Sequence, residues 1–172
     1  MIAPFRAAMP AIDASAYVVD SAVVIGDVIV GAESSVWFHA VVRGDVHPIR
    51  IGRRTNIQDH ATLHVTTGRA ATTVGDDVTI GHGAIVHGCT IGDRTLVGMG
   101  AIVLDGVEVG AECLIGAGAL LTPGTRFAPG QLVVGSPARA VRSLTVAERA
   151  SLLASAVNYA RVAAEYRASG LR

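Results

Sequence analysis

An aliphatic residue recurs about every six positions along most of this chain, and glycine often follows it directly. A step of six matches neither the helical period of about 3.6 residues nor the two-residue alternation of an ordinary strand. It fits short strands that each end at a corner, so that three strands close one coil of 18 residues (three steps of six). Stacked coils of this kind form a parallel β-helix, a solenoid whose aliphatic residues line up in inward-facing ladders. The repeated residues are Ile25, Val30, Val36, Val42, Ile51, Ile57, Leu63, Val74, Ile80, Val86, Ile91, Val97, Val103, Val109, Ile115 and Leu121.

The alternative is an array of β-hairpins in a sandwich, which has no reason to keep a six-residue register over so many steps. We therefore predict an all-β solenoid, a β-helix domain over residues 1–138. Its repeat stops at Gly135-Ser136-Pro137-Ala138, and a helical pattern follows. Residues 139–172 are predicted to form a C-terminal α-helix within the same single domain. It would pack along one face of the solenoid or across to a neighbouring subunit.

The helix prediction rests on a start signal and an apolar stripe. Thr145 and Glu148 match a capping box, with Thr as N-cap and Glu at the third helical position. Apolar residues then recur at steps of three and four, which places them on one side of a helix, and Gly170 marks its end. The stripe consists of Leu152, Ala156, Tyr159, Ala163 and Tyr166.

Composition and charge bear on which partners the protein can have and where in the cell it is located. The formal net charge is zero, which argues against a nucleic-acid or membrane-surface partner. Apolar runs are interrupted by glycine and aspartate, so none is predicted to span a bilayer. The first ten residues lack the long apolar run of a secretory signal. Cys89 and Cys113 hold small inward positions on different faces, so we expect two core thiols, no disulfide and a cytoplasmic location.

Four of the six histidines lie between Ile57 and Cys89. Two of them, His64 and His87, directly follow repeated aliphatic residues that close consecutive coils. They are 23 residues apart, one coil of 18 plus five residues that fit a small loop near residues 66–71. The two imidazoles therefore stack at one corner, about one strand spacing of 4.8 Å apart. Neutral imidazole is the commonest metal ligand, so the pair predicts half of a metal site.

His82 lies on a different face, roughly 16 Å of strand away from that corner. It cannot easily join the pair within one chain, but a closed threefold ring brings different corners of neighbouring subunits together. The register therefore predicts a metal site shared across a trimer interface. A lone outward histidine is more often a solvated or corner residue, and we keep that interpretation for His39, His47 and His60.

Two polar clusters accompany the histidines. Arg43, Asp45 and Asp59 are the residue types that form ion-pair networks between subunits. Gln58 is remote from His64 on its own chain, but across an interface it could orient a water or substrate. The alternative is that these side chains simply satisfy amides at the corners of the coils.

Together these features resemble the gamma-class carbonic anhydrases, a family of left-handed β-helix, hexapeptide-repeat proteins. The resemblance runs from about Val23 to Ala138 and continues into the helix. Its marks are Arg43-Gly44-Asp45, Asn56-Ile57-Gln58-Asp59, His64, and His82 with His87 in Gly-His-Gly-Ala-Ile-Val-His-Gly-Cys. Hexapeptide repeats alone would be a weak sign, because many acyltransferases carry them.

The resemblance implies a left-handed homotrimer with three interfacial zinc sites, in which iron or cobalt could replace zinc. It implies that His64 and His87 come from one chain and His82 from its neighbour. It further implies interface roles for Arg43, Asp45 and Asp59, and active-site roles for Gln58, its neighbour Asn56 and Tyr159.

The implied activity is reversible hydration of CO2 to bicarbonate. Two departures from the family bear on it. Val46 stands where the best-characterised members have glutamate, and the short loop at residues 66–70 lacks their proton-relaying carboxylate. Two alternatives stay open, an acyl-CoA thioesterase or acyltransferase on the same scaffold, and a trimeric scaffold that binds metal without catalysis.

Overall fold

The computed structural model describes residues 1–171, so Arg172, the last residue of the predicted helical segment, lies outside it. Residues 1–171 form twenty strands and one helix. The strands are β1 (Ile2–Ala3), β2 (Ala11–Ile12), β3 (Tyr17–Val18), β4 (Val23–Val30), β5 (Ser35–Val36), β6 (Val41–Ile51), β7 (Asn56–Ile57), β8 (Thr62–His64), β9 (Thr72–Val74), β10 (Thr79–Ile80), β11 (Ile85–His87), β12 (Thr90–Ile91), β13 (Leu96–Val97), β14 (Ile102–Val103), β15 (Glu108–Val109), β16 (Leu114–Ile115), β17 (Leu120–Leu121), β18 (Arg126–Phe127), β19 (Gln131–Gly135) and β20 (Ala138–Ser143), and the helix is α1 (Val146–Ala168).

The strands stack into three parallel faces, as the six-residue step predicts. Face one is β9-β12-β15-β18, face two is β3-β5-β7-β10-β13-β16-β19, and face three is β8-β11-β14-β17. Within face two, Ile57, Ile80, Val97 and Ile115 pair in register on consecutive coils. All four are fully buried. The repeat thus builds a core of stacked aliphatic ladders that holds each corner at a fixed height.

The early coils depart from the simple pattern. Strands β4 and β6 run through a corner without a break, so β6 joins face three to face one. Gly26 pairs with Gly44, and the next pair is Val28 with Ile49. Between these two pairs the chain advances two residues in β4 but five residues in β6. The three extra residues form a bulge that begins at Asp45, whose side chain is 15% exposed.

The end of the solenoid contains a strand that the periodicity does not reveal. Strand β20 pairs antiparallel with β19 through a tight turn at Ser136-Pro137. The predicted division after residue 138 therefore falls inside a hairpin that extends face two. Helix α1 begins after it, at Val146.

The helix prediction is confirmed in its start and its packing. The Thr145 hydroxyl accepts from the Glu148 backbone N–H, and the Glu148 carboxylate accepts from the Thr145 N–H, which completes the capping box. The helix packs on face two of its own chain, along β3, β5, β7 and β10. Leu152, Ala156 and Ala163 are buried there. No helix within residues 1–171 is long and apolar enough to cross a bilayer.

Both cysteines are buried free thiols, as the inward positions predict. Burial raises the pKa of Cys89 to about 12. The thiol therefore stays protonated and belongs to the core.

Candidate metal centre

Two histidines meet at the corner that ends face three. His64 ends β8 and His87 ends β11, and the two residues pair directly in the ladder. Their ring centroids lie 5.0 Å apart, and His64 Nδ1 lies 3.0 Å from His87 Nε2. The register argument for this pair is therefore confirmed.

A carboxylate touches the other nitrogen of each ring. His64 Nε2 lies 3.1 Å from Asp45 Oδ1, and His87 Nδ1 lies 2.6 Å from Asp105 Oδ1. Although burial opposes it, hydrogen bonds from Arg43 and His64 lower the pKa of Asp45. Hydrogen bonds from Thr66 and then His87 lower the pKa of Asp105. Both carboxylates are therefore ionised at neutral pH and can only accept hydrogen bonds.

The protonation of the rings follows from these neighbours. Burial lowers the pKa of His64 more than the adjacent Asp45 raises it, which favours the neutral ring at neutral pH. A neutral ring carries one N–H. When each N–H points to its carboxylate, His64 Nδ1 and His87 Nε2 are both left with lone pairs, which face each other across 3.0 Å.

Two facing lone pairs repel each other unless a cation lies between them. Two nitrogen ligands at about 2.0–2.1 Å from a tetrahedral zinc ion lie about 3.3–3.4 Å apart. The observed 3.0 Å needs only a small adjustment to reach that separation. The donor set, two facing imidazole nitrogens with a carboxylate at the other nitrogen of each ring, therefore fits a transition metal.

His82 lies elsewhere on the chain. It follows β10 at the corner after face two, and its Nδ1 lies 2.6 Å from Asp59 Oδ2. Its side chain is 43% exposed. Among residues 1–171, no three histidine, cysteine or acidic side chains converge as a metal site, so one chain brings together only two of the three predicted ligands.

The predicted interface residues divide between the two corners. Arg43 forms an ion pair with Asp45 beside His64, while Asp59 contacts His82. Within one chain they form two separate contacts, the Arg43–Asp45 ion pair beside His64 and the Asp59–His82 carboxylate–imidazole contact.

The predicted active-site residues lie on the His82 side. The Gln58 Nε2 amide donates to Asn56 Oδ1 at 3.1 Å, and Asn56 Nδ2 donates to Thr79 Oγ1 at 3.0 Å. All three side chains are buried. These bonds fix the Gln58 amide and leave its Oε1 available as an acceptor.

A groove of about 520 Å³ runs past Gln58 and Thr79. Gln58, His82 and Tyr159 line one end, and helix α1 forms a wall through Ser155 and Tyr159. Its floor is apolar, because the outward residues of β13, β16 and β19 are all leucine. These leucines are Leu96, Leu114 and Leu132.

Tyr159 stands where the helix closes this groove. Its ring packs edge-on against Trp37 at a centroid distance of 5.7 Å. Burial, and then the nearby Asp59 carboxylate, raise the pKa of Tyr159. The phenol is therefore a hydrogen-bond donor at neutral pH.

The remaining histidines hold corner or edge positions. His39 and His60 adopt the left-handed backbone conformation at consecutive corners, and their rings stack at 5.3 Å. His47 Nδ1 is buried without a hydrogen-bond partner among residues 1–171.

Sequence reasoning missed Asp105 and its partner Thr66. Asp105 follows His87 by 18 residues, one full coil, and so returns to the same corner. The 18-residue separation was the signal in the sequence that could have placed Asp105 beside His87. Thr66 belongs to the short loop after His64 and donates its hydroxyl to Asp105 Oδ2 at 2.6 Å.

Comparison with known proteins places the chain among its relatives. Residues 88–123 match the family model of the bacterial transferase hexapeptide (six repeats). The chain is 44% identical over 168 residues to gamma carbonic anhydrase 1, mitochondrial, of Arabidopsis thaliana, which covers 95% of this chain and 61% of that protein. It is 43% identical over 145 residues to a carbonic anhydrase of Geobacillus kaustophilus, covering 84% and 79% of the two chains. The chain belongs to the gamma-class carbonic anhydrase family.

Membership of the gamma-class carbonic anhydrase family, with its hexapeptide repeats, makes the solenoid a left-handed β-helix, as the resemblance implied. The X-ray structure of a putative acetyltransferase from Bacillus cereus has the same fold, with a TM-score of 0.95 and 42% identity over 98% of this chain and 97% of that one. The chain spans only 61% of the Arabidopsis protein, so likeness to that gamma-class carbonic anhydrase concerns the shared part.

Proposed function

We propose that this protein is a metal-dependent carbonic anhydrase, which hydrates CO2 reversibly to bicarbonate. The observation that carries the proposal is the close approach of two ring nitrogens, His64 Nδ1 and His87 Nε2, 3.0 Å apart at one corner. Each ring is held by a carboxylate on its other nitrogen, the arrangement that orients histidine ligands in metal sites. Zinc is the metal proposed, with iron or cobalt as substitutes.

The third ligand in this proposal is His82 of a neighbouring subunit. Three histidines are the usual ligand set of a catalytic zinc site with one open position. His82 is exposed, oriented by Asp59, and absent from any three-ligand cluster within residues 1–171. A homotrimer, in which each corner bearing His64 and His87 meets a corner bearing His82, would complete three such sites.

The chain's own residues would prepare the reaction around the metal. Zinc held by three imidazoles supplies a nucleophile at neutral pH, because it lowers the pKa of water from about 15.7 to about 7. Gln58 Oε1 would accept a hydrogen bond from water or from bicarbonate and so fix its orientation. The apolar floor of the groove would admit uncharged CO2 while offering bicarbonate no counter-charge. Tyr159 would donate a hydrogen bond at the same end.

Metal analysis combined with stopped-flow CO2 hydration tests this proposal. We expect about one metal per chain and hydration activity in the wild-type protein. His64→Ala and His82→Ala should both lose metal and activity, whereas His60→Ala, the matched control at an exposed corner, should keep both. Wild-type protein that is fully loaded with metal yet hydrates no CO2 would refute the proposed activity.

A second candidate function is hydrolysis or transfer of an acyl group from acyl-CoA. The groove favours it, because a leucine-floored channel beginning at the polar end with His82 suits an apolar acyl chain. The likeness to the putative acetyltransferase of Bacillus cereus also supports it. Release of free thiol from acyl-CoA, measured with a thiol reagent, separates the two activities. If neither is found but metal raises the Tm, the protein is a metal-stabilised scaffold.

A cytoplasmic location is part of the same proposal. It rests on the two free cysteines, which a reducing compartment keeps as thiols. Fractionation of the source cells tests it.

A further inference from the structure

Asp105 is a carboxylate whose two oxygens are both engaged at the candidate metal centre. Oδ1 lies 2.6 Å from His87 Nδ1, and Oδ2 accepts from the Thr66 hydroxyl at 2.6 Å. The Thr66 bond fixes the rotation of the carboxylate and also ties down the loop that follows His64. Asp105 therefore has a single orientation, with Oδ1 directed at the ring of His87.

The backbone beneath Asp105 leaves space for this contact. Gly88, directly after His87, has φ +56°, and a Cβ built on it would lie 2.5 Å from Asp105 Oδ1. A side chain at position 88 would therefore push the Asp105 carboxylate aside and also crowd Ala70 Cβ, 2.9 Å away. One coil on, Gly106 has φ +71° and a Cβ there would meet nothing closer than 3.7 Å. Of these two left-handed glycines, only Gly88 lies close to the Asp105 carboxylate.

We propose that Asp105 is a positioning residue for the metal centre, which holds the N–H of His87 on Nδ1 and so keeps the Nε2 lone pair directed at His64. The inference rests on the proposed metal site. Its physical reason is that the hydrogen bond at one ring nitrogen determines which nitrogen is free to bind metal. Without an acceptor at Nδ1, the proton can move to Nε2 and block the ligand position.

Asp45, the corresponding carboxylate at His64, is less well placed to have the same effect. It lies at 3.1 Å from its histidine, and it shares its charge with Arg43. Asp105 has a shorter contact to its histidine, and its second partner is an uncharged hydroxyl. We therefore expect substitution of Asp105 to weaken metal binding more than substitution of Asp45.

The first test measures metal affinity of Asp105→Ala and Asp105→Asn in a competition titration with a chelator dye. Loss of a carboxylate behind a histidine ligand typically weakens metal binding by about 10–100-fold, and that loss is expected for Asp105→Ala. Asp105→Asn should lose less, because its amide oxygen can still accept from Nδ1. Asp93→Ala is the control, since Asp93 is a corner carboxylate that accepts from the Asp76 N–H.

The second test displaces the carboxylate without changing it. Gly88→Ala places a methyl group on Asp105 Oδ1, while Gly106→Ala imposes similar left-handed backbone strain without that clash. Metal affinity should fall about 10-fold or more in Gly88→Ala and stay near wild type in Gly106→Ala. Equal affinities in the two variants would overturn the inference.

The third test needs no metal. Nitrogen-15 NMR of the metal-free protein should show His87 protonated on Nδ1 in wild type and in the control Asp93→Ala, and shifted toward Nε2 protonation in Asp105→Ala. His87 protonated on Nε2 in the wild type would overturn the inference. If Asp105→Ala does not fold, Gly88→Ala, which displaces the carboxylate, gives the same comparison.

These outcomes separate the two proposals. Wild-type protein that binds no metal would refute the metal centre, while the NMR result still decides what Asp105 does to His87. Wild-type protein that binds metal, with Asp105→Ala equal to it in affinity, would refute the role of Asp105 alone.

Discussion

Mixing two inactive variants should restore metal binding if the site is shared between subunits. His82→Ala removes the ligand on one corner, and His64→Ala removes a ligand on the other. Each variant alone damages every site in its trimer. In a mixed trimer, some interfaces pair an intact His64–His87 corner with an intact His82 corner.

The expected recovery follows from the geometry of the ring. A site is intact when its His64–His87 half comes from a His82→Ala chain and its His82 half from a His64→Ala chain. For random assembly of an equal mixture each condition has a probability of about one half, so about one quarter of all sites are intact. Every mixed trimer then carries about one complete site of three.

The assay is to co-refold the two variants with different affinity tags and to purify mixed trimers on both tags in turn. Metal is counted after dialysis against a weak chelator, with light scattering to establish the trimer. Each variant refolded alone is the control and should retain almost no metal. Mixed trimers that keep no metal, although wild type keeps about one per chain, would show that the ligands do not lie on opposite sides of one interface.

Three further predictions concern turnover and stability. Because Val46 cannot titrate and the loop after His64 offers no carboxylate, imidazole buffer should raise kcat for CO2 hydration with little change in kcat/KM, and Val46→Glu should raise kcat at low buffer. A high kcat that is insensitive to buffer concentration in stopped flow would contradict this prediction. Ile80→Ala, at a fully buried ladder position, should lower the free energy of unfolding by about 2–5 kcal/mol, measured in urea at fixed protein concentration. The control Ile85→Ala, at a position that is 39% exposed, should lower it much less, and equal losses of stability would contradict the inward ladder. The Arg142 and Thr145 contacts lower the pKa of Glu148 from 4.5 to about 2, so the charged Glu148 stabilises the fold fully above pH 4.5 and loses this effect as the pH falls toward 2. The Tm difference between wild type and Glu148→Gln should therefore shrink over that pH range, and a constant difference would refute the capping role of the charge.

Sequence pattern was enough to predict the ladders, the helix start and the paired histidines. Those features are periodic or local: Ile57 and Ile80 stack because the chain returns to the same face after each coil, and the Thr145–Glu148 box closes over three residues. The positions of His64 and His87 after repeated aliphatic residues were enough to place them at one corner.

The side chains that surround that corner could not be predicted in this way, because they are brought there by tertiary packing. The contact between Asp105 and His87 depends on the space above Gly88, and the approach of Asp45 to His64 depends on a bulge of three extra residues in β6. The groove between α1 and the leucines of face two depends on how the helix lies across the solenoid. Periodicity fixes the height and face of each residue along the solenoid, but side-chain reach, bulges and helix docking are settled by packing between segments that are distant in sequence.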